Sequence, residues 1–124
     1  MKNISIIILI LATVFTIGSF GGCGQREKLY GEKITEEKVT PIGNILSTPD
    51  NFKDKSVKVQ GKITDECPAG GWFYLKDNTG IVYVNLHPSY FAIPQVRGKE
   101  VTAQGRLRKE GTQIEIVGEG VELK

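Results

Sequence analysis

The chain has 124 residues, 40% hydrophobic and 24% charged, the balance of one globular domain rather than a disordered or fibrous chain. Sixteen Lys and Arg against fourteen Asp and Glu leave a formal net charge of +2, too little for a general field that gathers polyanions. One His and two Cys exclude a zinc finger, an iron–sulfur site and a His-based metalloenzyme, and no cofactor is expected.

Lys2 is the only charge before Arg26. Between them lies the apolar stretch Ile4 to Ile17, followed by the small and turn-prone Gly18-Ser19-Phe20-Gly21-Gly22. A positive start, an apolar run and small residues before a cleavage point are the pattern of a secretory signal, here residues 1–22. The other reading is a retained membrane anchor. Against it, the run falls short of the about 20 residues that a bilayer core requires.

Phe20-Gly21-Gly22-Cys23 resembles the lipobox of bacterial lipoproteins, with Phe20 where Leu is usual and Gly21 where Ala or Ser is commoner. The resemblance implies that Cys23 is the lipid-attachment residue, so that several acyl chains hold the exported chain on a membrane. The alternative partner for Cys23 is Cys67, in a disulfide.

Residues 23–41 carry mixed charges and little apolar material, so a flexible tether is expected, with a root-mean-square span of about 20–25 Å. An edge strand or helix between Leu29 and Val39 is the alternative. Thr40 then offers an N-cap with Pro41 at the first helical position, and Ile42, Ile45 and Leu46 form a helical stripe that Pro49 ends.

From Val57 onward the hydrophobic period changes from helical to two. Val57, Val59 and Ile63 alternate with polar residues, as do Val101, Ala103 and Leu107, and Ile114 and Ile116 carry a last strand. Trp72–Lys76 and Ile81–Leu86 flank the hairpin turn Asp77-Asn78-Thr79-Gly80; Lys109-Glu110-Gly111 makes another. The segments Lys55–Ile63 and Lys99–Leu107 share the form K-x-V-x-[VA]-Q-G-[KR]-[IL], which places Gly61 and Gly105 at points where a strand must bulge or coil. Five one-faced strands with short turns predict a sheet closed on itself.

This order of elements resembles the oligonucleotide/oligosaccharide-binding (OB) fold. Val57–Ile63, Phe73–Gly80, Val82–Val84 and Val101–Gly105 look like the nucleic-acid-binding, anticodon-type branch found in bacterial and archaeal lipoproteins. The resemblance implies an all-β, five-stranded antiparallel OB-fold barrel with a short N-terminal helix, covering residues 42–124. Between the third and fourth barrel strands, Pro88 to Pro94 leaves room for one helical turn.

Alternation sends Phe73, Leu75, Val82, Val84 and Leu86 inward and Trp72, Tyr74, Lys76, Tyr83 and Asn85 outward. The resemblance makes that outer face the ligand face, so Trp72, Tyr74 and Tyr83, with Lys62 and Arg106 beside them, are the candidate binding residues. Aromatic rings stack bases or sugars; they also stabilise sheets with no ligand at all. Cys67 and His87 are the weak metal-ligand candidates, since two donors fall short of the usual three or four. His87-Pro88-Ser89-Tyr90 is one residue shorter than the His-x-x-x-Tyr motif of the membrane-anchored haem chaperone, which it resembles.

No catalytic residues are expected. Asp65 and Glu66 are neighbours on an extended chain, face opposite ways and read as solvated charges. The expected function is a membrane-anchored extracytoplasmic binding module for an envelope protein, peptide or glycan. Single-stranded nucleic-acid binding is the alternative, and haem handling a further one.

Overall fold

The computed structural model describes residues 28–124, so the expected signal at 1–22 and Cys23 lie outside the described residues. In chain order the elements are strand β1 (Lys28–Gly31), helix α1 (Ile42–Ser47), and strands β2 (Ser56–Glu66), β3 (Trp72–Lys76), β4 (Ile81–Asn85), β5 (Glu100–Glu110) and β6 (Gln113–Leu123). Single 3-10 turns occupy Pro49–Asn51 and His87–Ser89.

Strands β2 to β6 close into a barrel: β2 pairs with β3, β3 with β4, β4 with β6, β6 with β5, and β5 again with β2. This is the small closed all-β barrel that the alternation predicts, in the OB-like form that the resemblance implies. One seam differs from an all-antiparallel barrel. β4 and β6 run parallel, through Val84↔Ile116 and Asn85↔Val117, because the link from β4 to β5 crosses the barrel instead of turning tightly.

Period-two burial fills the centre. Phe73, Leu75, Val84 and Leu86 are fully buried together with Val59, Val101 and Ile116. Two core residues come from outside the alternating runs: Ile93 and Val96, in the crossing link. Backbone and carboxylate contacts hold that link. Gly70 accepts the Ile93 N–H at 3.0 Å, and the Glu66 carboxylate accepts the N–H groups of Val96 and Arg97 at 2.8 and 3.0 Å. Asp65 pairs with the Arg97 guanidinium at 2.9 Å. These two acids are therefore not idle solvated charges, since both fasten the link that plugs the barrel.

The two echoed segments pair with each other. Val57 lies opposite Gly105, Val59 opposite Ala103 and Gly61 opposite Val101, so each copy's glycine faces the other's valine. Neither glycine has room for a side chain. A Cβ on Gly61 would strike the Lys76 carbonyl, and one on Gly105 the Val117 carbonyl. A bulge falls between Gln104 and Gly105 as expected; in β2 it falls later, between Ile63 and Asp65.

Helix α1 begins one residue after the expected start. Pro41 occupies the N-cap position and Thr40 supplies no side-chain cap. The caps come from the β3–β4 turn: Asp77 Oδ2 accepts the Ile42 N–H at 2.9 Å and Thr79 Oγ1 accepts the Gly43 N–H at 2.7 Å. Ile42 and Ile45 are buried, whereas Leu46 is 39% exposed.

The segment expected as a tether is, in its described part, laid on the barrel. β1 pairs antiparallel with β6 from Lys28↔Leu123 to Gly31↔Gly120, where β6 has already left β4 and its edge is open. An edge strand thus forms at Lys28–Gly31, the first described residues of that segment. Farther along, Gln104 Oε1 accepts the N–H groups of both Thr35 and Glu36 at 2.8 Å, and the Thr40 N–H reaches the Lys58 carbonyl at 2.8 Å. Backbone pairing needs no apolar side chains, which is why a polar segment is held here.

Candidate ligand-binding face and groove

The outer surface of β3 and β4 is built by their register, Trp72↔Asn85, Tyr74↔Tyr83 and Lys76↔Ile81. The three aromatic rings meet there as alternation predicts. Centroids are 5.9 Å apart for Trp72–Tyr74, edge to face, 5.9 Å for Trp72–Tyr83 and 5.3 Å for Tyr74–Tyr83. Contacts of this kind add about 0.5–1.5 kcal/mol beyond burial, so the cluster has a structural role whether or not it binds anything. Tyr74 is 39% exposed, and Trp72 and Tyr83 are half-buried. Burial pushes the Tyr83 phenol pKa up, and the nearby Glu115 carboxylate raises it further, so the hydroxyl stays a proton donor.

Beside the rings opens a groove of ≈ 480 Å³. Tyr74, Ile81, Val82 and Tyr83 form one wall, Leu46 closes one side, and Arg108, Glu110, Gln113, Ile114 and Glu115 come from the β5–β6 hairpin. The hairpin register sets Arg108 opposite Glu115, and its Nη1 donates to Glu115 Oε1 at 3.2 Å. Asn85 Nδ2 donates to the other carboxylate oxygen at 3.4 Å. Glu115 is therefore oriented from two sides, at the edge of the aromatic cluster.

The expected basic partners are placed elsewhere. Lys62 stands across from Lys76 and does not line the groove. Arg106 lines an adjoining recess with Asp54 and Glu119, which Arg108 also borders, and donates to the Asp54 carbonyl at 3.3 Å. The cation at the groove is Arg108, two residues on along the same face of β5. The sequence carried a signal for it, because counting back from the two-residue turn Gly111-Thr112 sets Arg108 opposite Glu115.

The loop before Trp72 curls round Cys67. The Cys67 N–H reaches the Trp72 carbonyl at 2.9 Å, and the Gly70 N–H reaches the Cys67 carbonyl at 2.8 Å. The backbone N–H of Gly71, with those of Ala69 and Gly70, points at the sulfur and lowers the thiol pKa from its ordinary 9.0. Among the described residues Cys67 has no disulfide partner. The His87 ring packs over Gly71, and the His87 backbone N–H donates to Asn85 Oδ1 at 3.1 Å. Among the described residues no group of three or more His, Cys, Asp or Glu is placed to hold a metal ion, so Cys67 and His87 find no third donor. Tyr90, the other half of the haem-type pair, ends the 3-10 turn at φ 59° with its side chain 96% exposed.

No protein-family model matches the chain, and no curated protein matches it in sequence. Among solved structures it is similar to the hypothetical protein ygiW from E. coli, with TM-score 0.56, 21% identity, and coverage of 71% of this chain and 91% of that one. It is also similar to a putative aspartyl-tRNA synthetase from Leishmania major Friedlin, with TM-score 0.52, 16% identity, and coverage of 74% of this chain but 22% of the synthetase. At these identities the likeness shows the barrel fold that the chain shares with both.

Proposed function

We propose that the chain is an exported lipoprotein, anchored through Cys23, whose OB-fold barrel is a non-catalytic binding module for a protein, peptide or glycan of the cell envelope. The observation that carries the binding role is the ≈ 480 Å³ groove that opens beside Tyr74 and Tyr83. Concave sites that combine aromatic surface with a few oriented polar groups are the usual form of a ligand site. Here Glu115, held by Arg108 and Asn85, and Gln113 supply the polar groups. The signal and lipobox residues of 1–23 support the location.

Single-stranded nucleic acid is the second reading, favoured by three adjoining rings that present stacking surface. The groove's charge opposes it, since one arginine faces two carboxylates, Glu110 and Glu115, where a phosphate backbone needs clustered cations.

A photoreactive residue at Tyr74 or Tyr83 in intact envelopes should capture the partner, whereas the same residue at exposed Lys33 should not. Equal capture from Lys33 would remove the groove as the site. Salt-sensitive capture of single-stranded oligonucleotides in preference to envelope material would move the assignment to the second reading.

A further inference from the structure

The anchor and the groove leave the barrel at opposite ends. β1 runs antiparallel to β6, with Lys28 opposite Leu123, so the chain before Lys28 departs at the end of β6 that is farther from its hairpin turn. The groove residues Gln113, Ile114 and Glu115 stand at the beginning of β6, next to that turn. Leu123 lies eight positions after Glu115, about 25 Å along a strand at about 3.3 Å per residue.

The leash from Cys23 is short. Because Lys28 is already paired in the sheet, only residues 24–27 lie between the lipid-attachment position and the barrel. Fully extended, that stretch reaches about 18 Å, and as a flexible coil about 12 Å. Both lengths are less than the distance along β6. A barrel tied so closely cannot roll its groove down to the lipid without unpairing β1. The exposed Lys28, Lys99 and Lys124 stand at the anchored end, where the Lys124 N–H meets the Glu100 carbonyl at 3.3 Å, and they outnumber the carboxylates there, exposed Glu100 and half-buried Glu122. Cations there suit anionic headgroups.

We infer that the barrel rests with the end formed by Lys28, Lys99 and Lys124 against a phospholipid surface, and that its groove opens away from the membrane toward a partner outside the lipid layer. This rests on the lipoprotein reading above and adds the orientation. It makes the first part of the chain a spacer of fixed short length, and it excludes lipid acyl chains as the groove's occupant.

The test uses the full-length protein in its own membranes, with benzophenone side chains introduced singly at Lys99, Lys124, Gly111 or Gln113 and radiolabelled phospholipid as the probe. Positions 99 and 124 should form lipid adducts several-fold more than 111 and 113. Equal or reversed yields in anchored protein would overturn the orientation. Inserting about twelve Gly and Ser residues after Gly24, for a leash spanning about 20–25 Å, should level the yields; a bias that persists would overturn the leash as its cause. The variant Cys23→Ala separates the two claims. Its release into the soluble fraction supports the lipid anchor, whereas retention defeats the lipoprotein reading, and the adduct ratio still reports the orientation.

Discussion

The carboxylate of Asp77 caps a helix that begins 35 residues earlier, its Oδ2 accepting the Ile42 N–H at 2.9 Å. Its other oxygen accepts the N–H groups of Thr79 and Gly80 at 2.7 and 3.0 Å and the Thr79 hydroxyl at 2.6 Å. One side chain therefore shapes the β3–β4 turn and locks α1 over the end of the barrel. Burial raises the Asp77 pKa, but these hydrogen bonds outweigh it and hold the group below its ordinary 3.8. A carboxyl depressed in the folded state adds stability above its unfolded pKa, and that stability fades as pH falls below 3.8 through the folded value. Asp77→Ala should cost about 2 kcal/mol at pH 7 in urea unfolding. The gap from the parent should narrow near pH 3, and a gap that is the same at both pH values would discount the carboxylate.

Gln104 should be the clasp of the N-terminal segment. Its amide oxygen accepts two successive backbone N–H groups, and it is 7% exposed. Gln104→Leu keeps the volume and removes the acceptor. Hydrogen exchange at Thr35 and Glu36 should then speed up by roughly tenfold, matching about 1–1.5 kcal/mol of lost local bonding. The amides of β3 should be unaffected. Unchanged exchange at Thr35 and Glu36 would mean that other contacts hold the segment.

What was legible in the sequence follows the range of each signal. Period-two alternation names the buried face of β3 and β4 residue by residue, because inward and outward are fixed by the pleat. The turns at 77–80 and 109–111 are legible for the same local reason, the second falling slightly later, at Gly111-Thr112. Three features depend on long-range partners and so are not legible. The clasp by Gln104 joins residues 68 and 69 apart in sequence, the helix cap comes from a turn 35 residues away, and Ile93 and Val96 join the core on a link held by the distant Gly70 carbonyl and Glu66 carboxylate. The basic residue of the groove falls between these cases. Choosing Arg108 over Arg106 needs the hairpin register, which the sequence implies but composition alone does not.

Cys67 should react as an activated thiol. Backbone N–H groups of Gly71, Ala69 and Gly70 stabilise its thiolate, so its pKa lies below the ordinary 9.0. The pH profile of iodoacetamide alkylation on folded protein should have its midpoint below that of the same protein unfolded in urea. The profiles should coincide if the N–H groups do not reach the sulfur. Gly71→Ala, which would collide with the His87 ring, should shift the folded profile upward by disturbing this loop.

Gly61 and Gly105 should be the least replaceable positions in the paired strands. At each, a β-carbon meets a carbonyl of a crossing strand, Lys76 or Val117, and a backbone carbonyl cannot swing aside as a side chain does. Overpacking at such a contact costs about 1–3 kcal/mol, so each alanine variant should be destabilised by that order in thermal or urea unfolding. Gly98→Ala and Gly111→Ala would meet no atom within 4 Å, but their positive φ angles add strain of about 1 kcal/mol. Losses at Gly61 and Gly105 no larger than these would show that the strands relax apart.

The groove itself is tested by separating stability from capture. Tyr74→Ala removes two ring contacts and should cost about 0.5–1.5 kcal/mol of stability, leaving the barrel folded. Losing one stacked ring should weaken a bound partner by about 1–3 kcal/mol, or roughly tenfold to a hundredfold. Arg108→Ala breaks an exposed ion pair that contributes about 0–1 kcal/mol to folding, so its effect should fall on binding. Arg106→Ala is the contrast, because Arg106 faces the other recess. Partner capture from a photoreactive residue at Tyr83 should drop for Tyr74→Ala and Arg108→Ala and persist for Arg106→Ala. If Arg106→Ala alone abolishes capture, the ligand lies over β5 and the Asp54 recess, and the aromatic cluster is there to stabilise the sheet.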